Sequence, residues 1–477
     1  MSRFDTIVRG GMVATSAAVV RCDIGIREGR IAALADSLEG ADRVIDAEGR
    51  TVTPGGVDSH CHIDQPSRNG SVCADDFLTG TRSALAGGTT TVIPFALQFK
   101  GQSLREAVNE YRGRADNRAM TDYAIHMIVV DPNEHVLGQE MPGLIRDGYT
   151  SFKIYMTYDG LMLNDREILD VLALARRERA FVMVHAENGD CISWLTDRLE
   201  QSGKIAPKYH AHSRPRPVER EGTHRAITLA ELLDVPILLV HVSARDVVDE
   251  IHRARARGLK LFAETCPQYL FLTEDDLDKP GFEGAKCVCS PPPRDKANQQ
   301  VIWDGLRNGT FDVFSSDHAP TRFEGHGGKK MHGENASFRW IPNGVPGLET
   351  RMPLLFSEGV GKNVIGLEKF VELTATTPAK LYGLYPQKGT IAVGCDADIV
   401  IWDDSREVTI SNDLLHHNVD YTPYEGMSIT GWPAITLSRG EVVWADGEIR
   451  AEPGRGEFLP CGFPESAVPL GRPVAQI

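Results

Sequence analysis

The feature that most constrains the fold is an alternation of short apolar segments with helical patterns through the middle of the chain. Eight segments are predicted as strands: residues 51–62, 90–96, 123–130, 151–156, 181–185, 237–242, 260–265 and 313–317. Helical patterns lie between most of them, for example at 103–114, 165–178, 219–233, 244–257 and 296–308. Strands that alternate with helices build parallel sheets, and eight such units predict a (β/α)8 TIM barrel. An open doubly wound sheet is the alternative, but its Gly-x-Gly-x-x-Gly motif is missing after the first strand.

The two ends of the chain have a different pattern. Short strand-like runs separated by glycine turns fill the first fifty residues and recur from residue 389 to 450. Because such a meander needs a partner sheet, we predict one small β-sandwich domain built from residues 1–52 and 385–450. The barrel, at 53–384, is then inserted between the two halves. The tail, residues 451–477, is rich in Pro and Gly but contains apolar residues, and we expect it to dock on a neighbouring subunit.

Charge and cysteine usage exclude several classes of partner. The formal net charge is −15, which argues against nucleic acid or an anionic membrane as a partner. No apolar run is long enough to span a bilayer, and we find no secretory signal pattern at the N-terminus. The nine cysteines are scattered and odd in number, as expected for reduced thiols. We therefore expect a cytoplasmic enzyme.

Side chains that can bind metal stand at the ends of five predicted strands. They are His60 and His62, Lys153, His185, His241, and Asp317. Because side chains alternate along a strand, His60 and His62 project to the same face. Catalytic groups of a TIM barrel gather at the carboxyl ends of its strands, so we expect these six side chains to converge. Imidazole and carboxylate ligands predict a metal site, with zinc as the favoured ion.

Lys153 carries the most information of the six. It lies between Phe152 and Ile154 in an apolar strand, and a lysine is almost never fully buried without a partner. Burial disfavours the ammonium and frees the amine, which can then add carbon dioxide to give an anionic carbamate. A carbamate could bridge two metal ions through its two oxygens. The alternative is an ion pair between Lys153 and an acid such as Asp317 or Glu187.

The ordered set of strand-end residues resembles the binuclear amidohydrolase superfamily, and more narrowly its dihydropyrimidinase and D-hydantoinase group. The resemblance implies two divalent ions, with Zn²⁺ as the favoured ion, and an N6-carboxylated Lys153 that bridges them. It assigns His60, His62 and Asp317 to the first ion. It assigns His185 and His241 to the second ion. It also implies a homo-oligomer, typically a tetramer.

Three further motifs match the same group. Tyr155 lies two residues after Lys153, hence on the same strand face, and the resemblance implies that its phenol donates to an oxyanion. Ser290, in the segment 289–294, resembles a serine that binds the substrate ring through its main chain. Asn343, in the segment 340–344, resembles an asparagine whose carbonyl receives a ring N–H. Both segments are rich in Pro or Gly, so a purely structural turn is the alternative for each.

The implied activity is hydrolysis of a cyclic amide. The ring of a dihydropyrimidine or a 5-substituted hydantoin would open to an N-carbamoyl amino acid, with Asp317 transferring the proton and Tyr155 stabilising the oxyanion. Cyclic imide hydrolysis and allantoin hydrolysis remain open on the same scaffold, as does a non-catalytic scaffold protein. Dihydroorotase is disfavoured because Asp64 stands where that group has an arginine. Gln65, at the expected pocket mouth, favours a small ring such as dihydrouracil.

Overall fold

The computed structural model describes residues 3–67 and 69–474, and the structural statements below refer to those residues. The strands are β1 (Phe4–Ala14), β2 (Val19–Arg27), β3 (Arg30–Ala35), β4 (Ala41–Asp46), β5 (Thr51–Pro54), β6 (Gly56–Cys61), β7 (Thr89–Leu97), β8 (Asp122–Tyr123), β9 (His126–Ile128), β10 (Ser151–Tyr155), β11 (Phe181–His185), β12 (Ile237–Leu239), β13 (Leu261–Thr265), β14 (Val313–Phe314), β15 (Ile399–Thr409), β16 (Ser428–Ser438), β17 (Glu441–Ala445) and β18 (Glu448–Ile449).

The helices lie mainly between the central strands. They are α1 (Phe77–Ala86), α2 (Leu104–Ala115), α3 (Met141–Arg146), α4 (Asp165–Glu178), α5 (Gly189–Gln201), α6 (Tyr209–Ser213), α7 (Arg216–Leu233), α8 (Arg245–Ala256), α9 (Gln268–Phe271), α10 (Lys296–Asn308), α11 (Arg351–Leu355), α12 (Leu367–Val371) and α13 (Thr377–Leu381). Short 3-10 or π-helical segments occupy Val136–Glu140, Glu274–Asp278, Glu283–Cys287, Phe338–Trp340, Phe356–Gly361, Glu372–Thr376, Asn412–Leu414 and Glu465–Ala467.

Eight parallel strands form the central barrel, in the order β6, β7, β9, β10, β11, β12, β13 and β14, with the short β8 also paired to β7. Its two edges meet where Cys61 forms a parallel bridge with His318. There the His62 amide donates to the His318 carbonyl at 2.6 Å. The predicted (β/α)8 fold is confirmed.

Helices cover the barrel because their apolar residues recur at helical spacing. In α4, the buried positions Ile168, Val171, Leu172 and Ala175 follow the spacing of three and four residues that marks one helix face. With helices outside and side chains filling the interior, every residue of β7, β10 and β11 is buried. A charged side chain within these strands therefore lies in the protein interior.

The terminal strands form a second, mixed sheet that contains both ends of the chain. Its order is β18, β17, β16, β15, β5, β1, β2 and β3, with β4 paired to β1. Strand β5 connects the two halves, since it pairs parallel with β1 and antiparallel with β15. One apolar core includes Val8 and Ile24 from the first half together with Ile399 and Leu437 from the second. The predicted small β-sandwich domain built from both termini is confirmed in this mixed sheet, and its bounds at residues 1–52 and 385–450 stay a prediction.

The predicted strand 51–62 is wrong in one respect, since it is two strands. Strand β5 belongs to the terminal sheet and β6 to the barrel, and the chain crosses between them at Gly55. The Gly55 amide donates to the Asp398 carbonyl at 2.9 Å. This hydrogen bond lies outside the barrel, because Asp398 directly precedes β15 of the terminal sheet. A Cβ on Gly55 would lie 2.2 Å from Thr90 Oγ1, so only glycine fits at this crossing. The predicted strand 123–130 is likewise divided into β8 and β9.

The tail packs along its own barrel. The Leu459 amide donates to the Tyr123 carbonyl at 2.7 Å, and the Cys461 amide donates to the Gly148 carbonyl at 2.9 Å. Lys260 Nζ donates to the Glu465 carbonyl at 2.6 Å. Docking of the tail on a neighbouring subunit stays a prediction. Across the described part of the chain, no helix combines the length and apolar character needed to cross a membrane.

Candidate metal centre and substrate cavity

The structure brings together all six side chains predicted at strand ends. His60, Lys153 and His185 lie within β6, β10 and β11, respectively. His241 stands two residues after the end of β12, and Asp317 stands three residues after the end of β14. Since the strands are parallel, these positions all lie at one end of the barrel. The convergence results from strand register and not from long loops.

His60, His62 and Asp317 form one group of ligands. Their candidate ligand atoms all lie within 4.8 Å of one another. His60 Nε2 is 3.2 Å and His62 Nε2 is 3.4 Å from Asp317 Oδ1. Two imidazole nitrogens and one carboxylate oxygen at this separation suit a divalent ion of the zinc type.

His185 and His241 form a second group beside the first. His185 Nδ1 lies 2.8 Å from His241 Nε2, and the His241 ring centroid is 5.5 Å from that of His60. The other ring nitrogen of His241, Nδ1, is buried and has no hydrogen-bond partner among the described residues. Because His241 Nε2 faces His185 Nδ1, these two nitrogens are the ligand atoms that the second group offers to an ion.

Lys153 lies between the two groups. It is 1% exposed, and its Nζ is 2.6 Å from His60 Nε2. The amine also lies 4.5 Å from the centroid of the Phe95 ring. Burial lowers the pKa of Lys153 to about 8, although Asp317 and Glu264 oppose the shift. Burial therefore favours the neutral amine, which is the form that reacts with carbon dioxide.

Charge in the centre favours the ligand form of each group. Burial lowers the pKa of His62, and it holds the pKa values of His185 and His241 well below the ordinary value. Burial therefore favours the neutral form of these three imidazoles. Burial alone would raise the pKa of Asp317, but His60 and the other two neighbouring histidines hold it well below the usual range. Neutral imidazoles around an ionised carboxylate are a donor set ready for a cation.

Residues behind the ligands fix their orientation. Glu264 Oε1 lies 2.6 Å from His60 Nδ1 and accepts from the His241 amide at 3.2 Å. On the second group, His185 Nε2 lies 2.8 Å from Glu187 Oε2. Carboxylates in these positions hold a metal-binding imidazole in one tautomer and direct its other nitrogen to the ion.

Glu264 and Arg214, which support the ligands, were not identified from the sequence. Glu264 interrupts an apolar strand, β13, in the same way that Lys153 interrupts β10, so the same signal could have identified it. Arg214 pairs with Glu187 at 2.6 Å and is separated from it by 27 residues along the chain, so no sequence spacing pointed to it.

A cavity of about 610 Å³ opens onto the centre. Its walls include residues predicted at strand ends and residues predicted in loops: His62, Gln65, Lys153, Tyr155, His185, His241, Ser290, Asp317 and Asn343. His60 lies behind this wall. The Tyr155 ring stacks on His185 with centroids 5.3 Å apart, and burial raises the pKa of its phenol well above the ordinary value. Tyr155 therefore keeps its proton and can act as a hydrogen-bond donor.

Ser290 and Asn343 reach the cavity from two loops that touch each other. The Gly344 amide donates to the Val288 carbonyl at 3.0 Å, which joins the two loops directly. Asn343 Oδ1 is buried and has no hydrogen-bond partner among the described residues. The cavity thus has a floor of candidate metal ligands at the strand ends and a polar wall carried by loops. Its size is that of a site for a small molecule.

Comparison with known proteins agrees with this geometry. The model of the amidohydrolase family matches residues 51–443. A D-hydantoinase of Rhizobium radiobacter is 46% identical over 455 residues, which cover 95% of this chain and 98% of the relative.

Solved structures give the same result. A D-hydantoinase structure is 45% identical with a TM-score of 0.94, and the match covers 97% of this chain and 100% of that one. A dihydropyrimidinase from Brevibacillus agri is 42% identical with a TM-score of 0.93, over 98% of this chain and 100% of that one. The chain therefore belongs to the amidohydrolase family, in the group that contains the D-hydantoinases and dihydropyrimidinases.

Proposed function

We propose that this protein hydrolyses a ring amide of dihydropyrimidines and 5-substituted hydantoins and so releases N-carbamoyl amino acids. Water adds to a ring carbonyl, the carbon–nitrogen bond of that amide breaks, and the departing ring nitrogen takes a proton. The relatives named above are D-hydantoinases and a dihydropyrimidinase, and they match nearly the whole chain. The reaction class follows from them, and the residues of the centre supply the chemistry.

The observation that carries the proposal is the position of Lys153. Its amine is fully buried and lies 2.6 Å from His60 Nε2, among four histidines and Asp317. An ammonium so close to an imidazole nitrogen gains little electrostatic stabilisation. A carbamate there would instead offer two anionic oxygens to two cations. Carboxylation joins the lysine nitrogen to the carbon of carbon dioxide and releases one proton.

The donor set fits two divalent ions. His60, His62 and Asp317 would hold the first, His185 and His241 the second, and carboxylated Lys153 would be shared by both. The predominance of imidazole favours Zn²⁺. When bound, such ions polarise a carbonyl oxygen and make water nucleophilic at neutral pH.

The protein's own side chains do the remaining work. Tyr155 keeps its phenolic proton and donates to the oxygen on which negative charge develops as water adds. Asp317 is ionised, so its carboxylate can accept the proton of the attacking water and return it to the ring nitrogen as the carbon–nitrogen bond breaks. Ser290 and Asn343 orient the ring through the polar wall of the cavity.

The test is a substrate panel assayed with metal-loaded protein. Dihydrouracil, hydantoins with small and bulky 5-substituents, cyclic imides and allantoin are compared by kcat/KM, with products identified by mass. The proposal expects N-carbamoyl amino acids and the highest kcat/KM on a dihydropyrimidine or hydantoin. A preference for imides or allantoin would move the assignment to those activities, and no turnover of any ring would indicate a scaffold protein.

We propose a cytoplasmic homotetramer as the working form. All nine cysteines are free, which agrees with a reducing compartment.

Size-exclusion chromatography with light scattering measures the number of subunits directly, and a monomer at micromolar concentration would contradict the tetramer.

A further inference from the structure

Lys329 has an unusual environment for a lysine. It is 2% exposed, whereas its neighbour Lys330 pairs with Glu324 and Glu334 at the surface. Burying an ammonium is unfavourable unless its three protons find acceptors. The hydrogen-bond partners of Lys329 therefore indicate which part of the structure its buried ammonium stabilises.

Those partners are three main-chain carbonyls from two loops. Lys329 Nζ donates to the Val288 carbonyl at 3.2 Å and to the Pro342 carbonyl at 2.9 Å. It also donates to the Gly344 carbonyl at 2.9 Å. Burial lowers the pKa of Lys329 to about 8, so the ammonium still predominates at pH 7 and its three protons match the three carbonyls.

The three carbonyls flank the two residues that form the polar wall of the cavity. Val288 precedes Ser290 by two residues, and Pro342 and Gly344 stand on either side of Asn343. Both Ser290 and Asn343 line the cavity, but Lys329 does not. Lys329 thus touches the wall from behind, at the backbone that positions its polar groups.

We infer that Lys329 is a positioning residue that sets the spacing between the Ser290 and Asn343 segments, and thereby the fit of the substrate ring. The inference rests on the proposed function for the role of those two segments. Displacement of a binding group by about 1 Å can cost on the order of 100-fold in rate. Loss of the ammonium is therefore expected to weaken ring binding without disturbing the candidate metal ligands, which stand in barrel strands or within three residues of their ends.

The test compares Lys329→Met with the control Lys330→Met. Methionine keeps an unbranched side chain and removes all three donors. We expect kcat/KM for dihydrouracil to fall by about 10-fold to 100-fold, mainly through KM, with metal content unchanged. Lys330→Met should match the wild type. An unchanged KM, or a fall in metal content parallel to kcat, would overturn the inference.

Hydrogen exchange provides a readout that needs no turnover. The Gly344 amide, bonded to the Val288 carbonyl, should exchange faster in Lys329→Met than in the wild type and in Lys330→Met. If the wild type hydrolyses no ring but the Gly344 amide exchanges faster in Lys329→Met, the proposed function is wrong, while the role of Lys329 in joining the two loops is supported. If the wild type is active and exchange at Gly344 is unchanged, the inference alone fails.

A milder variant covers the case in which Lys329→Met does not fold. Lys329→Gln retains two donors on a shorter, uncharged side chain, so its KM for dihydrouracil should exceed that of the wild type, by less than the 10-fold to 100-fold expected for Lys329→Met. A KM for Lys329→Gln equal to that of the wild type would count against the inference.

Discussion

The floor and the wall of the cavity are built in different ways. On the floor, His60, Lys153 and His185 are strand residues, so the barrel's hydrogen-bond ladder fixes where each side chain starts. On the wall, Ser290 and Asn343 stand in loops held to each other by the Gly344 amide and by Lys329. In the proposed function, the residues that carry the chemistry therefore stand at the barrel strands, and the residues that bind the ring stand in loops.

This difference separates two kinds of mutational effect. Changes to the floor should alter metal content, kcat or both, because the side chains there hold the ions or surround the reacting atoms. Changes to the wall should alter KM, because the loops orient the ring through main-chain groups. The predictions below test this division, beginning with the largest effect.

Replacing Lys153 by alanine should abolish the centre. We expect metal content to fall and kcat/KM to drop by roughly 1,000-fold or more, since the shared ligand is lost. A short-chain carboxylic acid supplied with bicarbonate should restore part of both. Metal analysis and steady-state kinetics measure the outcome, and full activity without the additive would refute the carbamate.

His126 offers a matched control for the loss of a buried barrel side chain. It is fully buried, lies 2.6 Å from Ser151 Oγ and 3.0 Å from the Ser59 carbonyl, and does not line the cavity. His126→Gln should lower the free energy of unfolding by about 1–3 kcal/mol and leave metal content unchanged.

Tyr155→Phe should separate catalysis from binding on the floor. The ring remains stacked on His185, but the phenolic donor is gone. We expect kcat to fall by about 100-fold to 1,000-fold while metal content and KM stay close to wild type. If kcat instead stays within about threefold of the wild type, the phenol does not stabilise the developing charge.

Glu264→Gln tests the residue that orients His60. The amide keeps the size of the side chain but removes the charge that faces His60 Nδ1. Metal affinity should fall by about 10-fold to 100-fold, as measured by competition with a chelator. Glu140→Gln is the control, because Glu140 is a buried carboxylate bonded to Ser103 and the Leu104 amide, away from the centre. Equal affinities in the two variants would exclude this role for Glu264.

Ser290→Ala should have the smallest effect. If the wall binds the ring through main-chain groups, removal of the hydroxyl should change KM for dihydrouracil by less than about threefold. A rise in KM beyond about tenfold would mean that the hydroxyl itself contacts the ring.

The strand-borne part of the site could be predicted because it leaves a local signal. His60, Lys153 and Asp317 are polar residues at positions where an apolar strand ends or is interrupted, and parallel topology then brings them together. Glu264 leaves the same signal in β13, so it could have been predicted in the same way, although it does not line the cavity.

Other features have no such signal. Lys329 lies in the long loop after β14, where no period predicts burial, and its partners are carbonyls whose positions only the folded loops define. Glycine is required at Gly55, where the chain passes from one sheet to the other, because of the close approach of Thr90, which is distant in sequence. The roles of Lys329 and Gly55 both depend on contacts between segments that are distant in sequence.

The most direct test follows hydrolysis of dihydrouracil while metal is titrated into metal-free protein in the presence of bicarbonate. If strand-end residues build one two-ion centre for cyclic amides, kcat should appear only as the second ion binds and reach its maximum at two ions per chain. Full activity with no ion or with one ion bound, or no ring opening with two bound, would contradict the account.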